Sequence, residues 1–203
     1  IFDFKQTMLG QEGKGWFDHA LPTADELKES IFQAHERADS IGVLSTIIEN
    51  HDEPRGVSHY IAEGPVNDTS KKALGTIQVL RKGIPFIYQG QEIGMENQVF
   101  ESVEDFDDIA TINGYHVAKE AGLSEEEALA AIAKYSRDNA RTPMQWSAEP
   151  GLGFSDGTAW LISPKPNVAI NVEDQEKDPN SILNYYRQLT ALYRHPLYGN
   201  TIR

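Results

Sequence analysis

The amino-acid sequence predicts an α/β fold built on parallel strands. Three observations point to it. Apolar strand-like runs alternate with amphipathic helical stretches from Ile1 to Tyr88. The run Ile41–Ile48 is apolar and β-branched without polar alternation, as in a strand covered on both faces. The connections between runs have the length that right-handed parallel crossovers use.

Taken in order, Ile1–Phe4 alternates apolar and polar residues and reads as a short strand, followed by a Gly-rich polar loop from Gly10 to Gly15. Thr23-Ala24-Asp25-Glu26 is a capping box, in which the Thr hydroxyl and the Glu carboxylate satisfy unpaired N–H groups. Leu27, Ile31, Ala34 and Ala38 then recur at helical spacing, so a helix is predicted from Asp25 to about Asp39. Ile41–Ile48 is the second strand and ends in Glu49-Asn50-His51-Asp52. A second helix starts at Ser70, carries Ala73, Leu74, Ile77 and Leu80 on one stripe, and stops at Gly83, a residue suited to a left-handed cap. Ile84–Tyr88 is the third strand and ends in the polar run Gln89 to Glu92. From Glu101 the alternation is lost. Helices are predicted at Val103–Glu120 and Glu125–Tyr135, the latter opened by a Ser124…Glu127 capping box. Arg137 to Pro166 has no period and reads as loop, and Ser181–Tyr193 is a final helix before His195-Pro196.

Composition narrows the function. With 203 residues, 39% of them hydrophobic, the chain has apolar material for one sizeable core, which excludes a disordered tail or fibrous repeat. Eighteen Lys and Arg against 31 Asp and Glu give a net charge of −13 with no basic stretch, so no nucleic-acid partner is expected. The absence of Cys excludes disulfides, thiolate metal sites and cysteine nucleophiles, and it fits a cytoplasmic location. No apolar run approaches the ~20 residues of a membrane span, and the first residues show no leader pattern, so a soluble protein without membrane attachment is expected. Ile1 falls inside a strand-like run, and the chain is expected to be part of a longer polypeptide.

In parallel α/β proteins, functional groups collect at the carboxyl ends of the strands, where the βα loops emerge. The segment Glu49-Asn50-His51-Asp52-Glu53-Pro54-Arg55 concentrates three carboxylates, an imidazole and a guanidinium there, a crowding that is costly unless paired or ligand-bound. It reads either as a binding site or as a solvated loop in which Arg55 pairs with Asp52 or Glu53. His51 and His59 lie eight apart, without the short spacings of zinc sites, so no metal site and no cofactor are expected. Tyr88-Gln89-Gly90-Gln91-Glu92-Ile93-Gly94 offers amides and a carboxylate for neutral hydroxyls, or forms a structural turn. In Ser136–Trp146, Arg137 and Arg141 lie four apart with Asn139, Gln145 and Trp146 nearby. They could clamp an oxygen-rich ligand; the alternative is an Arg137–Asp138 surface pair and a tucked-in Trp146.

Read together, these segments resemble the α-amylase superfamily, glycoside hydrolase family 13, and within it the oligo-1,6-glucosidase and α-glucosidase group. Asn50-His51-Asp52 with Arg55 is similar to the family motif ending the seventh strand of a (β/α)8 TIM barrel. Ile87-Tyr88-Gln89-Gly90-Gln91-Glu92-Ile93-Gly94-Met95 is similar to the eighth strand and loop, and Arg137–Trp146 to the signature downstream. The resemblance implies that residues 1–203 form the C-terminal portion of the barrel, strands six to eight, with a helical insertion and loop at about 101–166. An N-terminal half-barrel and a C-terminal β domain would lie outside this chain.

The resemblance further implies an α-glucosidase acting on short oligosaccharides with retention. Asp52 would be the third catalytic carboxylate, binding sugar hydroxyls and stabilising the oxocarbenium-like transition state. His51 would bond the same sugar, Arg137 would sit at the subsite of the cleaved glucose, and Arg141 toward the leaving group. The nucleophile and general acid, about 5–5.5 Å apart, would come from strands four and five, which precede Ile1. The partners implied are an oligosaccharide and the remainder of the barrel. A trehalose-6-phosphate hydrolase, a sucrose isomerase or transglucosylase, and a non-catalytic carbohydrate-binding homologue carry the same motifs. Relatives often read Asp-Ile-Glu-Thr where this chain has Asp108-Ile109-Ala110-Thr111, and that Glu is expected to face the leaving-group sugar, so Ala110 leaves the linkage preference open.

Overall fold

The computed structural model describes residues 2–4, 6, 9–10, 20–61 and 64–199. Ile1 of the first predicted strand and most of the Gly10–Gly15 loop fall outside them.

Helix α1 (Ala24–Ala38) begins where the capping box requires: Glu26 N–H donates to Thr23 Oγ1 at 3.2 Å, and Thr23 N–H donates to the Glu26 carboxylate at 2.7 Å. Its small residues Ala34 and Ala38 pack on Leu44, which brings the chain back beneath the helix. The predicted strand Ile41–Ile48 is shorter than its apolar run. Ile41 and Gly42 donate to the Ala38 carbonyl as a turn, and Ile41 and Val43 are exposed. Only β1 (Ser45–Thr46) has strand geometry. It pairs in parallel with β2 (Ile84–Pro85), in the register Ser45 with Ile84 and Thr46 with Pro85, and an isolated parallel bridge joins Phe2 to Ser45 on its other side. The predicted order and direction of the strands hold, and their lengths shrink because the ladder bonds end within two residues.

Helix α2 (Gly56–Tyr60), which no sequence signal marked, follows β1 after the polar turn. Helix α3 (Asp68–Leu80) starts earlier than Ser70, because Asn67 caps the N–H groups of Thr69 and Ser70 at 3.0 and 3.1 Å. It ends at Leu80, so Gly83 is not its cap. A Cβ on Gly83, at φ +131°, would meet Thr46 Cγ2 at 2.7 Å and the Leu44 carbonyl at 2.8 Å; the glycine permits the two strands to approach. Gln78, fully buried on α3, ties its amide to the carbonyls of Thr46 and Phe86 at 3.2 and 2.8 Å.

Beyond β2, the predicted helix Val103–Glu120 is broken. A 3₁₀ turn spans Val103–Asp105, and α4 (Ile109–Glu120) starts afresh because Asp108 caps it through Thr111 N–H at 3.1 Å. Helix α5 (Glu125–Tyr135) matches its predicted bounds and packs on α4 around Phe100, Phe106 and Ile132. The predicted loop contains a short helix, α6 (Asp138–Arg141). After α7 (Val172–Lys177), α8 (Ile182–Tyr193) packs against α3 through Val79, Ile182, Tyr186 and Leu189, and α9 (Pro196–Gly199) follows. Among the described residues, no helix is long and apolar enough to cross a membrane.

Candidate functional site

The carboxyl end of β1 runs into the turn that carries Asn50, His51 and Asp52. Asn50 Oδ1 accepts from Asp52 N–H at 2.6 Å, an Asx turn that fixes the local backbone. Neither His51 nor Asp52 is buried; their side chains are 69% and 52% exposed, and His51 Nε2 lies 3.2 Å from Asp52 Oδ2.

The other two predicted site residues bracket α6, Arg137 as its N-cap residue and Arg141 as its last. Arg137 and Arg141 lie one helical turn apart and share a face. Both reach the same oxygen: Arg137 Nη1 is 3.2 Å and Arg141 Nη2 3.1 Å from Asp52 Oδ1. Arg141 Nε also donates to the His51 carbonyl at 2.9 Å, so α6 is tied to the turn by backbone and side chain alike. The four residues singled out from the sequence, separated by up to 90 positions, therefore form one cluster.

Residues that sequence reasoning missed hold the arginines in place. Asp108 Oδ1 accepts from Arg137 Nη2 at 2.6 Å and from Nε at 2.9 Å, and its carboxylate is almost fully buried. Burial alone would raise its pKa. Hydrogen bonds from Arg137 and Thr111 and the Arg137 charge outweigh that, so the Asp108 carboxyl titrates below the ordinary aspartate range. The same bonds hold the Arg137 guanidinium above its ordinary value. Asp138 does not form the surface pair with Arg137 that one reading allowed. It is fully buried, accepts from the backbone N–H of Asp107 and Asp108 at 2.9 and 2.8 Å, and lies 3.6 Å from Arg141 Nη1. The one signal for Asp108 was its place in the tetrad that ends in Thr111; Asp138 carried none beyond its position between the arginines.

Arg55 likewise pairs with neither Asp52 nor Glu53. Its partner is Glu49, at 3.0 Å, and both side chains are fully buried. Trp146 is half exposed rather than tucked in. Residues 88–94 fold as a turn: Gln91 points inward to Tyr186 Oη at 2.9 Å, and Gly90 and Gly94 take φ of +86° and +72°. Glu92 is pushed above the ordinary carboxylate range by burial. Among the described residues, no group of three or more His, Asp or Glu side chains is arranged to hold a metal ion.

Chemically, the cluster presents an accessible carboxylate flanked by fork-shaped donors, with each guanidinium already balanced by an acid. A polyol fits such a surface, because its hydroxyls donate to Asp52 while accepting from the arginines.

Comparison with known proteins places the chain in a family. Residues 1–197 match the family model for the α-amylase catalytic domain. The chain is 41% identical over 194 residues, 95% of its own length, to a probable oligo-1,6-glucosidase of Bacillus subtilis, and 39% identical over 143 residues, 70% of its length, to the trehalose-6-phosphate hydrolase of that organism. These matches cover 35% and 26% of the two relatives, so the chain spans about a third or less of their length. Its structure superposes on trehalulose synthase MutB from Pseudomonas mesoacidophila with a TM-score of 0.86 and 33% identity, over 96% of this chain and 35% of that one. Variants of MutB have been solved with glucose and with sucrose. With a family model covering nearly the whole chain and relatives this similar, the protein belongs to the α-amylase catalytic-domain family.

Proposed function

We propose that this chain is the strand-six-to-eight portion of a (β/α)8 catalytic barrel, and that the enzyme it completes is an α-glucosidase of the oligo-1,6-glucosidase type, hydrolysing short α-glucosides with retention. The segment at Phe2, β1 and β2 would be the three barrel strands, with the α4–α5 hairpin and the loop to about residue 166 as an insertion after the last. Phe2, Phe4 and Phe86, each at least 44% exposed and with the Phe2 ring 5.8 and 4.9 Å from the other two, are a surface that the remaining strands would cover.

One observation carries the reading: Asp52, at the end of a parallel strand, is met by His51, Arg137 and Arg141 within 3.2 Å in a chain of this family. Asp52 would accept hydroxyls of the glucosyl ring and stabilise the positive charge that develops as the glycosidic bond breaks. Two further carboxylates, the nucleophile and the general acid, would come from outside these residues. The isolated chain would accordingly be inactive, and it would self-associate or remain bound to the rest of the barrel.

Asp52→Asn in the full-length polypeptide tests the role. It keeps size and removes the charge, so kcat on p-nitrophenyl α-glucoside should fall roughly 10²–10³-fold with folding retained. Near-wild-type turnover would remove the assignment. Beside the isomerase that trehalulose synthase stands for, one rival that the relatives raise is a trehalose-6-phosphate hydrolase. It needs cations for a phosphate, and both site arginines are engaged by carboxylates, which favours a neutral glucoside. Hydrolysis rates on isomaltose and on trehalose 6-phosphate would separate the two.

A further inference from the structure

Arg55 is the largest fully buried side chain among the described residues, and its bonds run to three segments that meet at the site. Nη1 donates to the Gln89 carbonyl at 2.6 Å and to Glu49 Oε1 at 3.0 Å. Nε donates to the Asn139 carbonyl at 3.3 Å, and Nη2 lies 3.7 Å from Met95 Sδ. Its own N–H is held by Asn97 Oδ1 at 2.9 Å, while Glu49 Oε2 accepts from Gly56 N–H at 2.6 Å. Asn139 sits on α6 between Arg137 and Arg141, and Asp52 is three residues before Arg55. Gly90 lets the turn after β2 close on the guanidinium: a Cβ there would meet Met95 Sδ at 2.5 Å and Arg55 Nη1 at 3.1 Å.

A buried ion pair is poor evidence for a stabilising role, since apolar side chains of the same volume often serve stability as well or better. What an apolar pair cannot supply is a planar fork of donors that fixes a loop carbonyl and a helix carbonyl at once, and lysine, a single flexible ammonium, cannot supply it either.

We propose that Arg55 is a positioning residue: it locks the Asp52 turn, the turn after β2 and α6 in one register, so that Asp52, Arg137 and Arg141 converge on one ligand. The proposal rests on the reading of Asp52 given above.

The test uses the full-length polypeptide, with Arg55→Lys, Arg55→Met and Glu49→Gln/Arg55→Met variants. The double variant leaves no unpaired buried charge and keeps an acceptor for Gly56 N–H. Three quantities are read: kcat and KM on p-nitrophenyl α-glucoside, the thermal midpoint, and deuterium exchange in peptides covering 50–55, 88–97 and 137–141. The double variant should recover the wild-type midpoint while kcat stays down roughly 10²-fold, the scale of a misplacement near 1 Å. Exchange should rise in all three peptides together. Recovery of kcat with stability, exchange rising in 50–55 alone, or failure of every variant to fold would each assign Arg55 to the fold only and overturn the proposal. If the wild-type polypeptide does not hydrolyse the glucoside, the α-glucosidase reading falls by itself, and the exchange pattern still decides the role of Arg55.

Discussion

Replacing Asp138 by Ala should unpin the site from beneath. Its Oδ2 is the acceptor for two backbone N–H groups, at Asp107 and Asp108, in a carboxylate with no exposed surface. Removing a partner from a buried donor costs about 1–3 kcal/mol. The Asp108 donor is fully buried and the Asp107 donor partly so, which puts the loss near 3 kcal/mol once some water has entered. Asp138→Asn keeps an acceptor oxygen and loses only the charge facing Arg141, so its cost should be about 1 kcal/mol. Urea denaturation of the three proteins gives the global figures, and amide exchange at Asp107 and Asp108 gives the local ones. Both amides should exchange faster in the Ala variant than in the Asn variant. Equal losses in the two variants, or unchanged protection at Asp108, would show that the carboxylate does not hold this turn.

Gly75→Ala should destabilise the protein by about 1–2 kcal/mol even though Ala favours a helix by about 1 kcal/mol, because the added Cβ would lie 2.7 Å from Tyr186 Oη where α3 meets α8. A raised urea midpoint in that variant would contradict the packing. Asp108 titrates below the ordinary value of 3.8, so its contribution is present above that value and is lost as pH falls through the depressed one. Stability of the wild type should therefore drop more steeply than that of Asp108→Asn between about pH 5 and pH 2, and parallel urea midpoints over that range would refute the pairing.

The starts of α1, α5 and α8 were legible because a cap is a local event: Thr23, Ser124 and Ser181 each accept from the N–H three residues on. Strand extents were not, since a ladder depends on a partner about 40 residues away and closes after two residues here. The split of Val103–Glu120 is itself a local event, the Asp108 cap on Thr111 N–H, but the partners that hold Asp108 there are distant. Asp108 and Asp138, which the sequence offered as an acid within a predicted helix and a surface partner of Arg137, are engaged across 29 and 30 positions, and the same Asp108 carboxylate that caps Thr111 N–H also holds Arg137. Asp52, His51, Arg137 and Arg141 were found through the family's motifs, but the oxygen that both guanidiniums share is visible only in three dimensions. Arg55 shows the limit of proximity along the chain: two acids lie within three residues of it, and it bonds a third that enters the interior with it.

The double anchorage of Arg137 bears on what happens when Asp52 is drawn away. Asp108 lies below it in a nearly dry setting and keeps its grip through two N–H donors, whereas Asp52 sits at the water boundary. A guest that captures the outer carboxylate would leave no orphaned cation behind, because the inner acid still neutralises the guanidinium. Entry and departure of the guest can thus proceed as exchanges of hydrogen-bonding partners, with little charge left uncompensated at any stage.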